Sequence, residues 1–231
     1  MLRTILFLSL ITALGCGDSN GEGTLAVSAY GESFIEDGIP SDEMDDGWAI
    51  AFDSFMVTLN ADIGGENFAG TNLVLHESTA GAGAPLGSAV LPSGTYDDVT
   101  FQIDALNVMG SATKDDRTIT FDWTFDTPQR YVSCEESAVV PEDGIGNFEI
   151  TIHGDHLFFD SLVSDEPGLL FEPLAAADTN ADDVLTRAEL EAADVGTYDV
   201  GNSDVTNLWQ YLVAQSLLIG HVNGEGHCDS E

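Results

Sequence analysis

Hydrophobic and polar side chains alternate with a period of two over much of residues 24–160. The clearest case is residues 117–126, where Ile119, Phe121, Trp123 and Phe125 are separated by threonine or aspartate. Successive side chains of a β-strand point to opposite faces, so this pattern predicts strands with one buried and one solvent-facing side. Strands are also predicted at residues 25–30, 48–59, 72–76, 89–91, 99–103 and 148–152.

Turn-forming residues separate these predicted strands. They occur at Gly64-Gly65, at residues 81–83, at residues 92–94 and at residues 114–116. Glycine, proline and aspartate favour the backbone angles of tight turns. Seven or more short antiparallel strands with one solvent-facing side predict a mainly β fold, an antiparallel β-sandwich over residues 24–160.

The hydrophobic period becomes helical after residue 160. Residues 169–177 predict a short helix, in which Pro173 is tolerated only in the first turn, and residues 189–193 predict a second one. A longer amphipathic helix is predicted to begin after Ser203 and to end before Gly220. About 70 residues are too few for an independent core, so we expect residues 161–231 to form a small helical appendage docked on the sandwich.

The first residues have the order of an export signal. Arg3 precedes the apolar residues 5–14, which are fewer than the roughly 20 needed to span a bilayer, so residues 1–15 are predicted to be removed. The sequence Ala-Leu-Gly-Cys at residues 13–16 resembles a bacterial lipobox. This resemblance implies that Cys16 is lipidated and that residues 16–23 form a flexible tether. The alternative is an ordinary secretory signal with an incidental cysteine.

A lipid on Cys16 leaves Cys134 and Cys228 as an even pair of the three cysteines. In an oxidising compartment such a pair is expected to form a disulfide. The bridge would close a loop of about 95 residues and tie the C-terminal tail to the body of the protein. We therefore predict an exported protein anchored to the cell membrane or outer membrane through its lipid alone.

The chain is strongly acidic, with 41 Asp and Glu against 5 Lys and Arg and a formal net charge of −36. This charge excludes nucleic acid as a partner and disfavours electrostatic docking on an anionic lipid surface. A hydrophobic content of 43% argues against disorder. Adaptation to a salt-rich environment explains the general acidity better than any specific ligand does.

Residues 178–189, D-T-N-A-D-D-V-L-T-R-A-E, resemble an EF-hand calcium loop. Calcium prefers oxygen ligands, and in this family they come from loop positions 1, 3, 5, 7, 9 and 12. The resemblance implies one calcium ion held by Asp178, Asn180, Asp182, the backbone carbonyl of Val184, Thr186 and Glu189.

The loop departs from the family pattern at its sixth position, where Asp183 replaces the usual glycine. This position needs a positive φ, which aspartate adopts at a cost of about 1 kcal/mol. Three ligand carboxylates imply an affinity in the micromolar to millimolar range. We find no second loop of this type, and the alternative interpretation is an acidic linker in an acidic protein.

Four histidines give a second possible metal site. His153 and His156 lie in the sequence H-G-D-H, and His221 and His227 lie near Cys228. If the predicted disulfide forms, the tail returns to the sheet and three or four imidazoles come within reach of one zinc or copper ion. The alternative is that these are ordinary hydrogen-bonding histidines at turns.

Residues 24–30 and 91–96 are similar to parts of the transthyretin-like sandwich of bacterial surface lipoproteins of unknown function. That resemblance implies a fold and no catalytic residues, and the sequence contains no recognisable hydrolase, phosphate-binding or dinucleotide motif. The predicted function is that of a non-enzymatic, lipid-anchored calcium-binding lipoprotein in which calcium is structural. The alternatives are a zinc or copper carrier that uses the histidines, and an adhesion module with an unidentified protein or glycan partner.

Overall fold

The computed structural model describes residues 21–77 and 83–231. The predicted signal peptide and Cys16 lie outside the described residues, so lipidation of Cys16 stays a prediction. Among the residues described, no helix has the length and apolar character needed to cross a membrane.

Strands dominate the regular structure of the described residues. In chain order they are β1 (Glu22–Gly31), β2 (Ala49–Ile63), β3 (Glu66–Val74), β4 (Ala84–Pro92), β5 (Gly94–Tyr96), β6 (Thr100–Lys114), β7 (Arg117–Phe125), β8 (Gln129–Val132), β9 (Ala138–Val140), β10 (Ile145–Ile152), β11 (Val184–Leu185), β12 (Gly220–Val222) and β13 (Asp229–Ser230). The helices are α1 (Ser33–Glu36), α2 (Glu172–Ala175), α3 (Arg187–Ala192) and α4 (Leu208–Ser216), with a 3-10 turn at Asp155–Phe158.

The strands form two main sheets that share one hydrophobic core. The first sheet has the order β12-β10-β1-β4, in which β1 is parallel to β10 and antiparallel to β4. The second has the order β11-β7-β6-β2-β3, and β8 and β13 extend it beside β6. A small third sheet pairs β5 with β9. The prediction of a mainly β, sandwich-like fold is confirmed.

The predicted alternation of β7 is confirmed residue by residue. Ile119, Phe121, Trp123 and Phe125 are each at most 3% exposed, whereas the intervening threonines and aspartate face solvent. The hairpin that joins β6 to β7 turns at Asp115, which has a φ of 52°. The turn predicted at residues 114–116 is therefore present.

Residues 161–231 join both sheets through three short strands. Strand β11 pairs with β7, β12 pairs with β10, and β13 pairs with β8. Leu208, Tyr211 and Leu212 of α4 are buried in the common core. This segment therefore docks on the sandwich by backbone pairing as well as by side-chain packing.

The first helix of this segment is shorter than predicted. The prediction of helix over residues 169–177 was wrong at both ends, because α2 spans Glu172–Ala175, with Pro173 in its first turn as expected. The carboxylate of Asp46 accepts hydrogen bonds from the N–H groups of Phe171 and Glu172, both at 2.6 Å. These bonds begin the helix from a distant part of the chain, which local periodicity does not reveal.

Helix α4 also begins later than predicted. Ser203 does not cap it, because its hydroxyl donates to the carbonyl of Val200 in a separate turn. Helix α4 begins at Leu208, and Asn207 caps it by accepting a hydrogen bond from the Gln210 N–H at 2.9 Å.

The predicted disulfide is present between Cys134 and Cys228, which are 94 residues apart in sequence. Next to it, the Glu135 N–H donates to the carbonyl of His227 at 2.9 Å. The C-terminal tail is therefore held both by the bridge and by the pairing of β13 with β8.

Candidate metal centre

Four of the five histidines lie together at the end of β10. His153 follows that strand, and its ring centroid is 4.2 Å from that of His221 and 5.2 Å from that of His156. The rings of His156 and His221 are 5.1 Å apart, and that of His227 is 5.0 Å from His221. The structure therefore brings together all four histidines that the sequence singled out.

The pairing of β10 with β12 explains this convergence. Thr151 is opposite His221 in the antiparallel register, which places the His221 side chain beside the end of β10. The chain then reverses in a hairpin closed by two hydrogen bonds between Val222 and Gly226, at 2.9 and 3.0 Å. The reversal returns His227 to the side of His221. The neighbouring disulfide holds the end of the hairpin in place.

Two carboxylates complete the cluster. The ligand atoms of His153, Asp155 and His156 all lie within 4.8 Å of one another, a spacing that one metal ion can bridge. Glu32 also lies beside His153, with its Oε2 atom 3.5 Å from the ring Nδ1. Its Oε1 atom accepts a hydrogen bond from the Gly154 N–H at 3.1 Å.

These acidic residues were not among the predicted ligands. Asp155 lies between two of the predicted histidines in the H-G-D-H sequence, and this position is the feature from which it could have been predicted as a ligand. Glu32 is 122 residues from Gly154, and nothing in the local sequence connects it to the histidines.

Burial keeps two of the imidazoles neutral. It lowers the pKa of His156 to about 3, with further lowering from the neighbouring His221 and His153. It also lowers the pKa of His221 to about 4, with contributions from His153 and His227. A metal ion binds the neutral imidazole, so these rings need lose no proton before they coordinate near pH 7.

Backbone carbonyls orient two of the rings. His156 Nδ1 is 2.9 Å from the carbonyl of Leu218, so it carries the proton in the neutral ring and leaves Nε2 free to coordinate. His153 Nε2 is 3.3 Å from the carbonyl of Gly224, which leaves Nδ1 directed towards the carboxylates. Hydrogen bonds of this kind commonly fix the tautomer and orientation of metal-binding histidines.

Two buried atoms of the cluster lack hydrogen-bond partners among the described residues. They are Nδ1 of His221 and Oδ1 of Asp155. The backbone of Glu225 and Leu218 raises the pKa of His221 against the larger effect of burial, but it gives Nδ1 no bond of good geometry. Unsatisfied buried polar atoms are uncommon, and both atoms are possible metal ligands.

Glu32 and Asp155 form a largely buried carboxyl pair. Burial, and next the negative charge of Asp155, raise the pKa of Glu32 to about 8. Burial also raises the pKa of Asp155. Such a pair holds a proton near neutral pH, and a nearby cation would favour its ionised form.

A cavity of about 570 Å³ opens beside the cluster. His156, His221 and His227 are part of its wall, whereas the buried His153 is not. Asp165 and Glu225 also line it, and none of the described lining residues is lysine or arginine. The cavity therefore connects solvent to the histidines through an uncharged and acidic surface.

The predicted calcium loop lies between α2 and α3. Asp183 has a φ of 58°, as its position in the loop required, and Leu185 is buried at 1% exposure. Thr186 caps α3: its hydroxyl accepts from the Glu189 N–H, and the Glu189 carboxylate accepts from the Thr186 N–H. Residues 184–185 pair with β7 in parallel.

Several of the predicted ligand oxygens accept hydrogen bonds from the loop itself. The buried Asp178 carboxylate accepts from the N–H groups of Asp182 and Asp183, both at 3.2 Å. It also accepts from the Arg117 guanidinium at 2.7 Å, a contact that the sequence did not suggest. One oxygen of Glu189, Oε1, is buried without a hydrogen-bond partner in the described part of the chain.

The remaining predicted ligands are more open. Asn180 donates from Nδ2 to an Asp182 carboxylate oxygen at 3.1 Å, and Val184 is 44% exposed. Within the described residues, His153, Asp155 and His156 meet the 4.8 Å ligand spacing, and the three loop carboxylates do not form such a group.

No protein-family model, curated protein or solved structure matches this chain. Its function is therefore inferred from the histidine cluster and from the loop at residues 178–189. The histidine cluster has closely spaced rings, two of which are held neutral, and it opens onto a cavity. The loop has the positive φ that a calcium loop needs at Asp183, but Arg117 already occupies the carboxylate of one predicted ligand, Asp178.

Proposed function

We propose that this chain is a metal-binding protein that holds one zinc or copper ion in its histidine cluster. The observation that carries the proposal is the mutual spacing of His153, Asp155 and His156, whose ligand atoms lie within 4.8 Å of one another. His221, from a distant part of the chain, adds a third imidazole at 4.2 Å from the His153 ring.

The chemistry of these side chains favours a transition metal over calcium or magnesium. Imidazole nitrogen suits zinc and copper, whereas calcium and magnesium prefer oxygen ligands. The lowered pKa values of His156 and His221 support the same conclusion, because neutral rings are ready to coordinate. A purely structural role explains less, since it leaves His221 Nδ1 and Asp155 Oδ1 without hydrogen-bond partners in residues 21–77 and 83–231.

Export to an oxidising compartment is part of the proposal. The signal-like residues 1–15 and the lipobox-like sequence at Cys16 support it, and so does the disulfide between Cys134 and Cys228. In such a compartment the net charge of −36 would attract cations towards the protein surface.

The test is calorimetric titration of chelator-treated protein with zinc, copper, calcium and magnesium, together with metal analysis. We expect one tightly bound zinc or copper ion in the unaltered protein, and loss of that binding in a His153→Ala/His156→Ala variant. His76→Gln is the matched control, because His76 lies outside the cluster and accepts a hydrogen bond from the Phe55 N–H at 3.1 Å. Equal stoichiometry and affinity in the double variant would exclude the site.

A second function is structural calcium binding by residues 178–189. Two observations favour it: the φ of 58° at Asp183, and the buried Oε1 atom of Glu189, which has no hydrogen-bond partner among the residues that the structure describes. Calcium would link α2 to α3 and add RT ln(1 + [L]/Kd) to the stability. The Arg117 guanidinium already neutralises Asp178 at 2.7 Å, so calcium has to compete with it and binds weakly.

Thermal unfolding with and without calcium tests this second function. We expect calcium to raise the melting temperature of the unaltered protein but not that of a Glu189→Gln variant. Glu191→Gln is the matched control, because Glu191 lies on the same helix and pairs with Arg187 at the surface. An equal calcium-induced shift in the Glu189 variant would contradict calcium binding by the loop.

A further inference from the structure

His227 differs from the rest of the histidine cluster in its exposure. Its side chain is 70% exposed, whereas His153 and His221 are 4% and 5% exposed as residues. Among the described rings of the cluster, that of His227 contacts His221, whereas His221 also contacts His153 and His156. Neither His221 nor His227 belongs to the group of ligand atoms spaced within 4.8 Å, so exposure and ring contacts are what set His227 apart. It is therefore placed to meet an ion before the buried histidines do.

The histidines form a continuous series from solvent to the interior. Ring distances are 5.0 Å from His227 to His221, 5.1 Å from His221 to His156 and 4.2 Å from His221 to His153. His227, His221 and His156 line the cavity, whereas His153 does not line it and is 4% exposed. An ion that enters through the cavity can thus exchange one imidazole for the next over short steps.

The surface around the start of this series is acidic. Glu135 Oε2 is 3.6 Å from His227 Nδ1, and Asp165 and Glu225 line the cavity. Negative charge at the mouth of a cleft raises the local concentration of cations and the rate at which they associate. No positive side chain among the described lining residues opposes this effect.

We propose that His227 is a transfer ligand, which binds a zinc or copper(II) ion at the mouth of the cavity and passes it to His221, His156 and His153. In the loaded protein His227 is not part of the final coordination shell. This inference rests on the proposed function, because it requires the buried site that the ion finally occupies.

Stopped-flow measurement of zinc loading and release, with a chromophoric chelator as competitor, tests the proposal. A residue that acts only along the route affects loading and release equally, since both follow the same path. For His227→Gln we expect both rate constants to fall by the same factor, about tenfold, while Kd stays within about twofold of the unaltered value. His221→Gln, which alters a final ligand, is expected to weaken Kd mainly through faster release.

A second measurement tests the acidic residues that line the cavity, Asp165 and Glu225. An Asp165→Asn/Glu225→Gln variant is expected to load zinc more slowly and to show a weaker dependence of the loading rate on ionic strength. Circular dichroism of each variant checks that the fold is retained. The side chains of His227, Asp165 and Glu225 are exposed, so replacing them should not disturb the core, whereas His221 is buried.

The outcomes separate the two proposals. If the unaltered protein binds no zinc or copper, the proposed function fails and this inference fails with it. If it binds zinc but His227→Gln leaves both rates unchanged, or lowers affinity through faster release alone, the transfer role is excluded while the metal site remains.

Discussion

Removal of the Cys134–Cys228 bridge is expected to produce a large loss of stability. The two cysteines are 94 residues apart, and constraining a loop of that length lowers the entropy of the unfolded chain by about 16 cal/mol/K. At 25 °C this corresponds to about 4.7 kcal/mol, a large share of the roughly 5–15 kcal/mol that stabilises a typical domain. A Cys134→Ser/Cys228→Ser variant is therefore expected to lose about 4–5 kcal/mol.

Equilibrium unfolding in urea, followed by tryptophan fluorescence, measures this loss. Trp48 and Trp123 are at most 2% exposed, so their emission should report the loss of the core. The unaltered protein in a dithiol reductant is the control, and it should lose the same free energy as the variant. A loss below about 1 kcal/mol in both samples would refute the argument from chain entropy.

Three further predictions follow from individual contacts. Because burial lowers the pKa values of His156 and His221 from 6.5 to about 3 and about 4, their neutral forms stabilise the fold above pH 6.5, and this contribution is lost as the pH falls through those values. A His156→Gln/His221→Gln variant should lose several kcal/mol less stability than the unaltered metal-free protein as the pH falls through this range, and equal acid sensitivity in urea titrations would contradict this. Arg117→Gln should destabilise the calcium-free protein by about 1–3 kcal/mol, because it leaves the buried Asp178 charge unpaired. The same variant should show a larger calcium-induced rise in melting temperature, and an unchanged rise would show that the arginine does not compete with the ion. Asp46→Asn should cost about 1 kcal/mol in urea unfolding, since it weakens the hydrogen bonds that begin α2, and no change would mean that those bonds contribute nothing net.

Local patterns predicted the strands best where the sandwich buries one face of the strand, as it does in β7. Ile119, Phe121 and Trp123 alternate in sequence and are buried in the structure, since a strand repeats every two residues. Helix boundaries were predicted less well. Helix α2 begins where the distant Asp46 accepts its first N–H groups, and the start of α4 depends on Asn207 rather than Ser203.

The site was predictable in part. The histidines could be grouped because the expected disulfide returns the C-terminal tail to the sheet, and the structure contains that bridge. The contacts of Glu32 with His153 and of Arg117 with Asp178 depend on how distant strands pair, which no local motif encodes. The positive φ of Asp183 was predictable, because the turn of an EF-hand-type loop demands it.

The most direct test of the proposed metal site is X-ray absorption spectroscopy of the protein loaded with one equivalent of zinc. Coordination by His153, His156 and His221 predicts a first shell of about four nitrogen and oxygen ligands near 2.0–2.1 Å, with the multiple-scattering signal of about three imidazoles. A shell made of oxygen atoms alone, without imidazole scattering, would mean that zinc binds surface carboxylates and would contradict the proposed site.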